Sequence, residues 1–267
     1  MKKFFLLLVL PLFLCATTLK NGEVEIIKLD EKSRVVFNGK NMPVLKNPIN
    51  KDKYYVLLPV KYRQKAGDYK LLIDGKKTTL HVEHKNYKKE YIKVAKSKVK
   101  PDKKVLKTIQ KEYKDAMKIY GAFTPKRYWD KPFILPLKSK ITSDYGNARM
   151  FNGTLRSFHS GTDFRAKMRT PIRASNDGVV VIASKRYFAG GSVVIDHGQG
   201  VYSCYFHLSK ILVKVGQKVK QKQIIGLSGK SGRVNGPHLH FGIRVYAYAL
   251  DPLQFITQIN QLFKGAK

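Results

Sequence analysis

The chain has 267 residues, 43% of them hydrophobic and 26% charged, which is enough for two small domains with real cores and excludes a disordered polymer. Its net charge of +34, from 52 basic against 18 acidic residues, favours an anionic partner. The lysines are spread along nearly the whole sequence instead of gathering into a basic arm, so specific nucleic-acid binding is excluded. Attraction to anionic envelope surfaces remains, beside a plain lysine excess on a solvated surface.

Met1-Lys2-Lys3 followed by the apolar run from Phe4 to Ala16 has the basic and hydrophobic regions of a secretory signal, and is too short to span a bilayer comfortably. Residues 1–16 are therefore expected to be a signal peptide, with export to the periplasm and no stable transmembrane span after cleavage. An uncleaved N-terminal anchor is the alternative. With Cys15 at the junction, Cys204 is left alone in the mature chain. A single cysteine can form neither an internal disulfide nor a cysteine-based zinc site. Any metal ligands must be histidine and carboxylate.

Residues 17–84 read as a small immunoglobulin-like β-sandwich. Val35-Val36-Phe37 runs into Asn38-Gly39, and Tyr69 to Ile73 runs into Asp74-Gly75 and then Thr78 to Val82, two hairpin signals. Tyr54 to Val60 is a further apolar run. Residues 85–132 form a linking region. Its first part, to Lys100, is lysine-rich and reads as a linker or an exposed strand. Its second carries Val105, Leu106, Ile109, Tyr113, Met117 and Tyr120 at helical spacing, with Asp102 as N-cap and Gly121 as stop. This amphipathic helix is expected to pack on one of the domains. Residues 133–267 return to strands: Val179 to Ala183, Ser192 to Asp196, Val201 to Phe206, Ile224 to Leu227 and Leu239 to Val245. No long helix interrupts them before Pro252 to Phe263, which favours an antiparallel sheet.

Five of the seven histidines lie between His159 and His240. His159-Ser-Gly-Thr-Asp163 sets an imidazole and a carboxylate four apart. His238-Leu239-His240 puts two imidazoles on one face if the segment is a strand. Nitrogen and carboxylate oxygen suit zinc, and three protein ligands leave a fourth position for water, the arrangement of a hydrolase. Each piece alone is common by chance; their joint occurrence with His207 at the end of another strand is not.

At this point the sequence resembles the M23 metallopeptidases, the LytM or lysostaphin-type endopeptidases, over about Phe133 to Leu253. The motifs are Ile141-Thr-Ser-Asp-Tyr-Gly146, Phe158-His-Ser-Gly-Thr-Asp163, Thr170-Pro-Ile-Arg-Ala174, Val194-Ile-Asp-His-Gly198, Tyr205-Phe-His-Leu-Ser209 and Gly236-Pro-His-Leu-His-Phe-Gly242. The resemblance implies a mainly β protein: a C-terminal antiparallel LytM-type catalytic domain, preceded by the small sandwich and one linking helix. It implies one Zn2+ per chain held by His159, Asp163 and His240, with His207 and His238 as further active-site histidines. The substrate implied is peptidoglycan, its stem peptides and cross-links, cut by a D,D-endopeptidase with carboxypeptidase activity possible beside it. The implied chemistry is attack of water on zinc at the scissile carbonyl, helped by one of these two histidines. The other steadies the oxyanion or protonates the leaving amine.

His197 reads as a turn residue, and His81 and His84 as incidental. Arg149, Asn152 and Tyr205 are candidates for the groove wall. Gly229-Lys230-Ser231 is no P-loop, because Ile224 stands where that motif needs glycine and no helix follows. A catalytically inactive LytM-fold protein that binds wall or activates another hydrolase is the other class of function; the complete ligand set speaks against it. The aromatic-rich stretch Tyr113 to Trp129, or the sandwich, is expected to cover the groove.

Overall fold

A computed structural model describes residues 18–264. The expected signal segment, with Cys15, lies outside them. In the C-terminal half, strands Ile141–Ser143, Thr162–Arg165, His238–Val245, Val201–Leu208, Gly190–Asp196, Gly178–Arg186 and Lys218–Val219 follow one another across a single sheet, each antiparallel to its neighbour. Tyr248–Leu250 folds back on His238–Val245.

Alternation along these strands builds two different faces. On one, Val193, Ile195, Tyr205, Leu239, Phe241 and Ile243 are fully buried against Phe255 and Ile259 of the C-terminal helix Pro252–Ile259. On the other, Ile182, Val194, Tyr202 and Cys204 lie beneath Ala116 and Tyr120 of the helix Lys103–Gly121. Asp102 caps that helix, its carboxylate accepting the Val105 N–H at 2.8 Å; of the expected stripe Met117 and Tyr120 reach this sheet, whereas Leu106 and Tyr113 are exposed. The helix covers only one end of this face. At the uncovered end, His207 and His238 border a groove, and His207 and His240 a recess beside it.

Residues 18–83 make two facing sheets. Five strands, in the order Thr18–Lys20, Lys76–Glu83, Gly67–Ile73, Val35–Phe37 and Lys40–Met42, meet three, Val24–Leu29, Tyr54–Pro59 and Leu45–Lys46. Ile27, Leu29, Val35, Val56, Leu58 and Leu71 fill the space between them. Both expected hairpin turns form, with φ of 47° and 76° at Asn38 and Gly39, and 48° and 81° at Asp74 and Gly75. The pairing Ile26↔Leu57 sends Val24, Ile26, Tyr55 and Leu57 to the outer face, where they join the buried cluster of the C-terminal sheet. Both faces of Tyr54–Pro59 are covered, which is why its apolar run does not alternate.

The lysine-rich linker contains strand Lys89–Ile92. It pairs in parallel with Ala148–Phe151, which is hairpinned to Leu155–Phe158. The groove is walled by this strand and by the segment from Arg233 to His238. The stretch Tyr113 to Trp129 does not wall it. Its helical end lies on Tyr202, and Trp129 is buried against Phe133 in the main core. The sandwich contributes nothing to the groove wall among the described residues. No described helix is long and apolar enough to cross a membrane.

Candidate metal centre

Strand pairing brings the donors together. Thr162–Arg165 lies antiparallel to His238–Val245 with Asp163 opposite His240, so both side chains leave the same face while Phe164 and Leu239 enter the core. His159 sits just before this strand, its backbone N–H donating to the Asn147 carbonyl at 2.9 Å. The intervening Gly161 allows the close approach: a Cβ there would lie 2.4 Å from the Phe241 carbonyl oxygen and 2.7 Å from His240 Nε2.

His159 Nε2, Asp163 Oδ1 and His240 Nδ1 stand 2.9, 2.9 and 3.0 Å from one another. His159 Nδ1 points at the Asp144 carbonyl at 2.8 Å, so Nδ1 carries the proton and Nε2 presents a lone pair. Burial pushes the Asp163 carboxyl up, but the His159 and His240 imidazoles against it outweigh burial and hold it well below the usual carboxylate range. Burial lowers His240 to about 4, against the pull of Asp163, so its ring is neutral at physiological pH. Three buried electron-pair donors thus meet with at most one proton among them, on His240 Nδ1. Hydrogen bonding cannot satisfy such a triangle, whereas one divalent cation satisfies all three. The residues fit a metal ion.

A closed ring of hydrogen bonds orients two of these donors. Asp163 Oδ2 receives Arg149 Nη2 at 2.7 Å, which leaves Oδ1 for the metal. Arg149 Nε donates to Glu90 Oε2 at 2.9 Å, and Glu90 Oε1 receives Ser143 Oγ and Asn147 Nδ2, each at 2.7 Å. Ser143 Oγ is 3.0 Å from His159 Nδ1, which returns the ring to the ligands. Burial pushes the Glu90 carboxyl up, and these three partners more than compensate, keeping it below its ordinary value. Partners of this kind fix ligand tautomer and direction. Glu90 belongs to the linking region, and sequence reasoning missed it. The available signal was a lone acid in the lysine-rich stretch from Lys85 to Lys100.

His207 reaches the site through a backbone irregularity. Leu208 pairs with Gly191 and Tyr205 with Val193, so Phe206 and His207 together oppose the single Ser192, a β-bulge. Simple alternation would send His207 into the core beside Tyr205. The bulge, with His207 at φ 64°, turns it onto the face of Phe206 and His240 instead. A left-handed non-glycine residue costs about 1–3 kcal/mol, strain of the sort that gathers at functional sites. His207 and His238 rings lie 4.9 Å apart. Nδ1 of His207 bonds the Ser231 carbonyl at 2.8 Å and Nδ1 of His238 the Gly236 carbonyl at 2.9 Å, so in each neutral ring Nε2 is the free acceptor. Burial, then the charges of His240 and His238, push His207 well below the usual histidine range.

The five histidine and aspartate residues singled out in the sequence therefore gather at one place: Asp163, His207 and His238 line the groove, and His159, His207 and His240 line the recess beside it. Arg149 lines it as well. Tyr205 does not: it is fully buried in the core, with its hydroxyl receiving the Ser175 N–H at 2.8 Å. Asn152 is an exposed turn residue at φ 49°, bonded to both backbone polar groups of Val94. His197 is fully buried, a core residue more than a turn residue, and His81 pairs with Asp68 on the surface at 2.6 Å.

Residues 157–252 match peptidase family M23. The chain is 50% identical over 109 residues to the peptidoglycan DD-endopeptidase ShyA of Vibrio cholerae, a match covering 40% of this chain and 25% of that protein. It is 35% identical over 109 residues to the DD-carboxypeptidase/endopeptidase Mpg of Neisseria meningitidis, covering 41% of this chain and 25% of the relative. The chain thus spans about a quarter of the length of these curated relatives. A Pseudomonas aeruginosa protein assigned in its crystal structure to peptidase M23 superposes with a TM-score of 0.68 at 27% identity, covering 89% of this chain and 95% of that one. That likeness takes in the N-terminal sheets along with the domain that carries the donor triangle. The chain belongs to peptidase family M23.

Proposed function

We propose that the protein is a zinc-dependent endopeptidase that hydrolyses peptide cross-links of bacterial peptidoglycan, with carboxypeptidase action on free stem peptides beside it. One Zn2+ per chain is held by His159, Asp163 and His240. Zinc at such a donor set supplies a Lewis acid, polarising a peptide carbonyl and lowering the pKa of a water molecule to about 7. His207 and His238 handle the protons. Each has Nδ1 committed to a backbone carbonyl, so each offers Nε2 to the groove as a proton acceptor and, once protonated, as a donor to the oxyanion or the leaving amine. Arg149, held by Glu90, keeps Asp163 turned so that only Oδ1 is free for the cation.

The three converging electron-pair donors, set where an open groove meets the recess beside it, carry this proposal. The names of the matched relatives support the substrate class and an extracellular or periplasmic site of action. The same proposal divides the chain into an export signal over 1–16, a sandwich over 17–84, a linking region over 85–132 and the peptidase domain over 133–267.

Digestion of purified cell wall by the full chain, followed by mass analysis of the released muropeptides, tests it. Zinc-loaded protein is expected to open cross-linked dimers, while chelated protein and His159→Ala leave them intact. Wall left intact by zinc-loaded protein, or opened equally by the chelated form, would overturn the assignment.

A further inference from the structure

Three arginines line the groove; Arg165 is exposed, and the two less exposed ones, Arg149 and Arg233, differ in a way that the metal chemistry does not explain. Arg149 has its guanidinium committed to Glu90, Asp163 and Ser143. Arg233 has no carboxylate, carbonyl or hydroxyl partner for its guanidinium among the described residues and is placed by its backbone and by two aromatic rings instead. The preceding Gly232 has φ 87°, and a Cβ on it would lie 2.4 Å from the Phe188 carbonyl oxygen. The Arg233 backbone N–H donates to that same oxygen at 2.9 Å. Its guanidinium lies 4.1 Å from the ring centre of Phe151 and 4.2 Å from that of Phe188.

Stacking between two rings occupies the faces of a guanidinium and leaves its edge of N–H donors open. Arg233 borders both the 510 Å³ groove it shares with Asp163, His207 and His238 and the adjoining 190 Å³ recess it shares with His159 and His240, so its unpaired donors lie beside the candidate metal centre. Burial, with the charge of Arg149 adding to it, lowers Arg233 only to about 10, so it stays cationic at neutral pH. A half-buried, rigid, unpaired cation is costly unless an anion completes it, and a planar fork of donors matches a carboxylate in bidentate fashion. A purely structural arginine would have been expected to find an acceptor of its own, as Arg149 does.

We propose that Arg233 is a specificity-determining residue that receives a free carboxylate of the peptide, carried next to the bond being cut. This rests on the peptidase assignment for the nature of the ligand and deepens it: the preferred substrate is acidic at that point. The carboxylate comes either from a chain terminus or from a side chain, and the two sources share the same chemistry.

The test uses the zinc-loaded full chain and short D-alanyl peptides in matched pairs. One pair differs only in amidation of the terminal carboxylate, the other only in amidation of a side-chain carboxylate adjacent to the scissile bond. For the pair that carries the recognised group, kcat/KM is expected to favour the acid by roughly 10- to 100-fold, mostly through KM, as a charge-assisted bidentate contact requires. Arg233→Met should bring that ratio to about one, and Arg233→Lys should leave an intermediate ratio, since it keeps the charge and loses the fork. Binding of the same peptides to His207→Ala reads the preference without turnover. An acid preference in binding with no cutting by the wild type would sink the peptidase assignment and leave this inference standing. Equal handling of acid and amide in both pairs, or an equal loss on both in Arg233→Met, would overturn the inference itself.

Discussion

Two centres on the same sheet contain fully buried imidazoles, and they are wired in opposite ways. At His197, Nδ1 meets the Asp177 carbonyl at 2.7 Å and Nε2 meets Ser203 Oγ at 2.7 Å, with Tyr205 hydroxyl 2.9 Å beyond. One ring nitrogen faces an acceptor and the other faces a hydroxyl, so a neutral ring satisfies everything around it. At His159 and His240 the ring nitrogens turn toward each other and toward a carboxylate oxygen. Burial alone therefore does not mark a metal ligand. What marks it is a set of lone pairs with too few protons to share, and this difference can be broken by mutation.

The largest break is removal of a donor. His159→Ala or His240→Ala should reduce bound zinc from one per chain to background, with peptide hydrolysis falling by at least about 10³-fold, the loss of several kcal/mol of charge stabilisation. His197→Asn should leave the zinc content at one per chain, since neither of its partners touches the donor triangle. Metal analysis of the three purified variants decides it. Loss of zinc in His197→Asn would erase the distinction between the two centres.

His207 sharpens the comparison from inside the site, because it borders the groove without belonging to the triangle. His207→Ala should retain zinc and lose about 10²- to 10⁴-fold in kcat, the range for a positioned acid–base group. A parallel loss of metal would move it into the ligand set. Glu90→Gln, the third in size, keeps the shape of the residue but removes the charge that holds Arg149 and Ser143. Zinc affinity, measured by competition with a chromophoric chelator, should weaken by roughly 10- to 100-fold, as is typical when an outer partner of a metal ligand is lost. An unchanged affinity would show that Arg149 and Ser143 orient the donors without it.

The legible parts of the molecule were those with local rules. Asn38-Gly39 and Asp74-Gly75 formed the expected turns because only φ above zero fits a tight hairpin there. Asp102 capped the helix that the spacing from Val105 to Tyr120 had outlined. His238 and His240 shared a face, both next to His207, because strands alternate. The illegible parts depended on long-range pairing. Strand Lys89–Ile92 joins its partner in parallel across an interval of nearly sixty residues, with no turn to announce it, so Glu90 read as linker. The bulge that redirects His207 is set by the neighbouring strand and leaves no trace in its own sequence. The unbroken apolar run Tyr55 to Leu58 did carry a signal, since a strand covered on one face only would have alternated. That signal gives the number of covered faces without naming what covers them.

The smallest expected effect concerns His197 and runs through pH. Burial lowers its folded-state pKa to about 4, against about 6.5 in an unfolded chain. Between these values the unfolded chain holds a proton that the folded one excludes, so folding is weakened by acid and not by base. The stabilisation from the neutral ring is fully present above about pH 6.5. It declines as pH falls toward 4, at no more than about 1.4 kcal/mol per pH unit. His207 and His240 also have lowered values, so the wild-type curve alone does not isolate this term. The difference between wild type and His197→Asn does, when both are unfolded by urea in their zinc-loaded forms. That difference should be constant above about pH 6.5 and should shrink steadily below it, because only the wild type has an imidazole there to protonate. A difference that stayed constant down to pH 4.5 would mean that the ring is already protonated in the fold or exposed in it, and the contrast between a satisfied histidine and a metal-seeking pair would lose its reference point.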